Sequence, residues 1–201
     1  MAEQHGEYLL QEKYGTTKKA AAFYNNQMLG HLNQLMVDFI SKQDMVFIST
    51  ADANGNCDSS FRAGTPGFVQ VINEKSIMYP EYKGNGVMAS MGNIIENPHI
   101  GLMFIDFFEN QIGLHVNGKA SILEKDQLTK LEISVGMINE LKEKEGSKAE
   151  RWIVIEVEEA YIHCSKHIPK LKQLNKEVVW GTDNEKQKGG DFFKAKKSKK
   201  E

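Results

Sequence analysis

Cysteine is scarce in this sequence: Cys57 and Cys164 are the only two in 201 residues, which rules out a disulfide framework and fits a reducing compartment. Long apolar runs are missing as well. No stretch approaches the roughly 20 apolar residues that span a bilayer, and residues 1–15 are polar rather than shaped like a secretory signal, so a cytoplasmic protein away from membranes is expected. Charge of one sign is also lacking. Lys and Arg number 25 against 27 Asp and Glu, a net charge of −2, so nothing pulls the chain toward nucleic acid. The segment from Lys194 to Lys200 is locally basic, but without interleaved aromatics it reads as a solubilising tail. Internal repeats are absent.

What is present divides into three parts: an arm and helix over 1–44, a strand-rich domain over 45–170, and a polar extension over 171–201. From Thr17 to Lys42 the apolar residues Phe23, Leu29, Leu32, Leu35, Met36, Phe39 and Ile40 recur at three- and four-residue spacing, which predicts one amphipathic helix packed on a core. Strand patterns follow. Met45 to Ala51 and Cys57 to Ala63 flank Asp52-Ala53-Asn54-Gly55, a hairpin turn signature, and Phe68 to Ile72 and Ser76 to Pro80 complete an expected four-strand antiparallel meander. Cys57 reads as a small buried residue.

Val87 to Ile95 predicts a short helix that Asn97-Pro98 must end, because proline disfavours helix in the residue before it. His99 to Asp106 and the alternating Ile112, Leu114, Val116, Ala120 and Ile122 predict two more strands, with a bulge at Gly118. Lys125 to Lys144 suits another helix and Trp152 to Val157 a seventh strand. Seven short strands without a βαβ alternation predict a mainly β fold with flanking helices (α+β), a small closed or split antiparallel barrel.

The chemistry concentrates between Asp58 and Asn97. Arg62, Lys83 and the turn Gly84-Asn85-Gly86 lead into the short helix, and backbone N–H groups at a glycine turn entering a helix, with cations nearby, suit a phosphate monoester. Arg62 could equally form a surface ion pair, and an isolated Gly-Asn-Gly is often only a loop. The cluster His163-Cys164-Ser165-Lys166-His167 offers zinc ligands, yet three adjacent candidates without a distant fourth make a poor site, and no metal is expected.

The segments Ser49 to Asp52, Asp58 to Val69, Tyr79 to Gly86, Gly92 to Gly101, Val116 to Ala120 and Tyr161 to Pro169 together resemble the pyridoxamine 5′-phosphate oxidase-like FMN-binding split barrels, and most closely the flavin-nucleotide-binding branch. The resemblance spans Phe39 to Lys170. It implies a homodimer with FMN at the subunit interface, a small-molecule substrate and an electron donor such as a nicotinamide. Carried onto this sequence, it places Ser60, Arg62, Ala63 and Gly64 beside the flavin, with Arg62 on the phosphate or ring. Tyr79, Pro80 and Glu81 would border the ring system. Lys83, Gly84, Asn85, Gly86 and Val87 would hold the phosphate and ribityl chain, with Ser90 and Asn93 behind them, and His163, Ser165 and Lys166 would return toward the cofactor.

Two departures narrow the activity. The oxidases carry two basic residues in the phosphate turn, where this chain has Gly86-Val87, and they end in a tryptophan-to-arginine motif that is missing here, so oxidation of pyridoxamine phosphate is not expected. An FMN-dependent oxidoreductase of another small molecule is the expected function. A flavin carrier without turnover, or a split barrel holding haem or a deazaflavin, remains open.

Overall fold

The computed structural model describes residues 5–174, 178–182, 184, 187 and 189–198. Helix α1 (His5–Tyr14) and helix α2 (Thr17–Gln27) precede a two-residue strand β1 (Met28–Leu29) and helix α3 (Gln34–Ile40). Strands β2 (Met45–Ala51), β3 (Cys57–Ala63), β4 (Gln70–Asn73) and β5 (Ser76–Tyr82) follow, then helix α4 (Ala89–Glu96) and strands β6 (His99–Asp106) and β7 (Ile112–Glu124). A 3₁₀ turn over Lys125–Lys130, helix α5 (Val135–Glu145), strand β8 (Ala149–His163), a second 3₁₀ turn over Ser165–His167 and a short helix α6 (Ala195–Ser198) complete the order. Lys199 and Lys200 of the basic tail lie outside the described residues.

All pairings are antiparallel, and the sheet runs β3-β2-β6-β7-β8-β5-β4, with β1 added alongside β8. β3 and β4 therefore end the path on opposite sides, an arrangement consistent with a split barrel. The expected meander does not form: β2–β3 and β4–β5 are separate hairpins, and the turn from Gly64 to Gly67 carries the chain across the barrel rather than back along β3. Gly64, fully covered, lies against Phe68, whose Cβ is 2.4 Å from where a Gly64 side chain would begin. Pro80 sits beyond the last pair with β4, Gln70 opposite Met78, at a position where a strand tolerates proline.

The inward residues form one core: Val46 and Ile48 from β2, Leu102 and Phe104 from β6, Leu114 and Val116 from β7, Ile153 and Ile155 from β8, with Leu32 and Ile40 from the segment before the barrel. A second cluster of Met78, Leu128, Leu141, Ala149 and Trp152 covers the other side of β5 and β8. This is why Ile77, Met78 and Tyr79 are all buried despite strand alternation.

Several expected elements change in detail. The single helix over Thr17 to Lys42 is broken at β1, because Met28 takes an extended backbone and pairs with Tyr161, and a new helix starts where Asn33 Oδ1 accepts the Met36 N–H at 3.0 Å. α2 buries no residue fully; α3 carries the core contact through Ile40. Lys125 to Lys144 divides into the 3₁₀ turn and α5, which Ser134 caps at the Met137 N–H and Gly146 ends at φ +52°. Cys57 is exposed, not buried. The Gly118 bulge is present, between Asn117 and Gly118 against β8, and a Cβ there would lie 2.0 Å from the Glu156 carbonyl oxygen. No helix among the described residues is long and apolar enough to cross a membrane.

Candidate functional site

β3 is an edge strand, and its inward face is polar. Asp58, Ser60 and Arg62 lie opposite the buried Thr50, Ile48 and Val46 of β2. Polar groups turned toward a core must find partners. Each of these does. Arg62 Nε and Nη2 donate to the two Glu81 carboxylate oxygens of β5, both at 3.1 Å, a bidentate pair with side chains 20% and 12% exposed. Arg62 Nη1 donates to Ser60 Oγ at 2.8 Å and to the Phe61 carbonyl at 3.3 Å. Ser90 Oγ, in the first turn of α4, donates to Asp58 Oδ2 at 2.7 Å, and Asn93 Nδ2 donates to Thr50 Oγ1 at 3.0 Å.

These contacts define a polar seam along the split. Arg62–Glu81 ties β3 to β5, which are not neighbours in the sheet, and α4 is tied to β3 and β2 by Ser90 and Asn93 while burying Met91 and Ile94 in the core. The loop between β5 and α4 stands in solvent beside the seam. Lys83, Gly84, Asn85, Gly86 and Val87 are all exposed, Gly86 has φ +83°, a Cβ on Gly84 or Gly86 would meet nothing, and Asn85 Oδ1 accepts the Val87 N–H at 3.0 Å. Met88 enters the helix with φ +56°, a conformation that costs a non-glycine residue roughly 1–2 kcal/mol.

The structure thus brings Ser60, Arg62 and Glu81 together, sets Ser90 and Asn93 on the side of α4 that faces β3 and β2, and leaves residues 83–87 as an open loop. Ala63 is part-buried at the end of β3. The Tyr79 ring is wholly buried in the barrel core, where loss of water pushes its hydroxyl far above its ordinary value, and Pro80 is buried as well, so neither side chain offers a surface to a ring. Arg62 has four of its five N–H groups engaged, leaving one.

His163, Ser165 and Lys166 belong to other surroundings. Ser165 and Lys166 occupy an exposed 3₁₀ turn. His163 Nδ1 lies 2.9 Å from His115 Nε2 on the outer face of the sheet, and the His115 ring stacks on Tyr161 with centroids 4.8 Å apart and planes at 20°. Asn117 Nδ2 donates to Glu159 at 3.3 Å and reaches the Tyr161 hydroxyl at 3.5 Å. Burial, and then the neighbouring His163, hold His115 below its ordinary 6.5. The sequence does not single out His115, Tyr161 and Asn117 as site residues; their alternation with Leu114, Val116 and Ala160 marks an outward face, but nothing local marks a cluster. Among the described residues, no group of three or more metal-ligating side chains gathers.

Residues 32–164 match the model of the family described as pyridoxamine 5′-phosphate oxidase. Among solved structures, a candidate pyridoxamine 5′-phosphate oxidase from Lactobacillus delbrueckii aligns over 67% of this chain and 98% of its own, at 19% identity and a TM-score of 0.50. Group A Streptococcus HupZ aligns over 65% of this chain and 93% of its own, at 21% identity and a TM-score of 0.49. HutZ, the haem storage protein from Vibrio cholerae, covers 65% and 94%, at 16% and 0.45. No curated protein matches the sequence. The matched span takes in the whole sheet from β2 through β8 and the polar seam within it, and the chain belongs to the pyridoxamine 5′-phosphate oxidase family.

Proposed function

We propose that this chain is an FMN-binding flavoprotein that works as a homodimer and transfers hydride between a small molecule and the flavin, with a nicotinamide as electron donor. The observation that carries the reading is the juxtaposition, in a member of this family, of the Ser60–Arg62–Glu81 seam with the exposed glycine loop that opens α4.

The donor set fits a phosphate ester at one place only. Glu81 and Asp58 are carboxylates on the inward side of the seam, and an anion placed between them would meet like charge. The solvent side is different. There Lys83, the exposed backbone of Gly84, Asn85 and Gly86, and the start of α4 offer a positive, open seat. Lys83 and the loop would hold the phosphate, and Arg62, fixed by Glu81, would direct its remaining N–H toward the cofactor. Bound FMN supplies the redox chemistry; the protein's part is to orient the ring and set the electrostatics around it.

The test is the absorption spectrum of the purified protein, followed by FMN addition and then NADH or NADPH. Flavin bands at one copy per subunit with bleaching by the nicotinamide are the expected result. A flavin that stays oxidised would make the chain a carrier, a haem or deazaflavin spectrum would replace the cofactor, and a colourless protein that takes up no FMN would end the reading.

A further inference from the structure

Helix α2 lies against the sheet without burying any residue fully, so its seat depends on a few side chains. The ring of Phe23 meets Tyr161 edge-on, centroids 5.8 Å apart and planes at 81°. Tyr161 stacks on His115, and His115 is hydrogen-bonded to His163. Two residues of β1 then fix the helix's far end, with Met28 beside Tyr161 and Leu29 beside Ala160. The support under α2 is therefore a column of rings standing on a histidine pair.

An imidazole pair joined Nε2 to Nδ1 needs one donor and one acceptor. A neutral pair satisfies this, and so does a singly protonated one. A doubly protonated pair has two donors and two positive charges at 2.9 Å, and the bond is lost. The surrounding groups decide how readily that state forms. From β8, Tyr161 and Glu159 reach the column through Asn117, and Glu159 favours a first positive charge. From β6, Met103 stands opposite His115 and brings no charge. From α2, Phe23 is apolar and the Tyr24 hydroxyl is engaged by Glu7 and Gln11 of α1. One carboxylate held at the distance of an intervening amide does not offset two adjacent imidazolium ions.

We propose that the His115–His163 pair is an acid-sensitive latch: a second proton breaks the pair, the Tyr161 ring loses its support, and α2 lifts from the sheet to uncover Tyr161, His115 and Asn117. This site is separate from the Arg62 seam and does not depend on the cofactor.

Hydrogen exchange across residues 17–27 of the full chain, expressed as protection factors to remove the intrinsic pH dependence, tests it between about pH 7.5 and about pH 5. Protection in α2 should fall about tenfold or more in acid while β6 and β7 stay protected. His115→Phe, which keeps a flat ring under Tyr161 and cannot titrate, should abolish the pH dependence. Equal behaviour of the wild-type protein and His115→Phe, or protection that does not change with pH, overturns the latch. Nitrogen NMR of the two imidazoles in the wild-type protein gives a check free of any variant: loss of the Nε2···Nδ1 hydrogen bond in acid is expected, and a bond that persists at about pH 5 would overturn it.

Discussion

Arg62 and Glu81 face each other across the split of the barrel, joined by two parallel N–H···O bonds of 3.1 Å between strands that share no backbone pairing. Removing Arg62 leaves a carboxylate that is 12% exposed without its counter-charge, so Arg62→Ala should cost about 2–4 kcal/mol in urea unfolding. The double variant Arg62→Ala with Glu81→Ala should recover part of that loss, since no lone charge remains. A double-mutant cycle with no coupling would show that the pair does not clasp the barrel.

A substitution outside the pair separates fold from cofactor binding. Lys83→Ala removes an exposed cation from the loop together with its surface interaction and should cost no more than about 1 kcal/mol of stability. FMN affinity should fall by about tenfold or more, the loss of one charge-assisted contact to phosphate. Equilibrium dialysis of FMN against the variant checks this, and unchanged retention would move the phosphate away from residues 83–87.

Much of the sheet could be read from local pattern, and its limits are equally local. His99 to Asp106 has the same bounds in sequence and structure because Asn97-Pro98 stops the preceding helix and the apolar run from Ile100 to Ile105 ends at Asp106. Gly118 marked its bulge for a steric reason, the nearby Glu156 carbonyl. The helix spacing from Thr17 to Lys42 persisted through Leu29 and Leu32, but those residues serve a strand pair and a core contact made by distant parts of the chain. The meander failed for the same reason: which strands pair is fixed by distant partners, β6 for β2 and β8 for β5. Arg62 stands out in the sequence as a cation near the glycine turn, whereas its engagement by Glu81 needs two strands brought across the barrel. His115 and His163 lie 48 residues apart, and only the β7–β8 register makes them neighbours.

Gly118 should be intolerant of any side chain. Its missing Cβ would lie 2.0 Å from the Glu156 oxygen and 3.2 Å from Ile155 Cγ2, so the β7–β8 ladder must shift to admit even alanine. Gly118→Ala is expected to lose about 3 kcal/mol or more, at the upper end of overpacking costs because the obstacle is backbone. Thermal unfolding with Gly92→Ala as the control, where nothing lies within 4 Å, checks the claim.

Acid should weaken the β6–β7 turn through Asp106. Partial burial would raise this carboxyl, but hydrogen bonds from the Glu109, Asn110 and Phe108 backbone N–H groups outweigh it and hold Asp106 below its ordinary 3.8. A carboxyl lowered by folding contributes stability that is present above its unfolded value and is lost as pH falls through its folded one. The stability gap between the wild-type protein and Asp106→Ala should therefore be constant above about pH 5 and narrow as pH falls below 3.8. A gap that persists in stronger acid would assign the effect to the turn's packing instead.

Tyr82 ends β5 next to Glu81, and its hydroxyl donates at 2.7 Å to Glu145, which is 3% exposed at the end of α5. Burial, followed by the bond to Glu145, pushes the hydroxyl far above its ordinary value, so Tyr82 stays a donor throughout the accessible range. Trp180 lies against the same ring, centroids 6.3 Å apart. Tyr82→Phe keeps that ring contact and removes only the donor, leaving a buried carboxylate short of a partner at the carbonyl end of a helix, where negative charge is already disfavoured. A loss of about 1–3 kcal/mol is expected at neutral pH. Urea unfolding of both proteins, alone and with Glu145→Gln, decides it: an equal loss with and without the carboxylate would mean that the hydroxyl acts by filling space and not by stabilising the Glu145 charge.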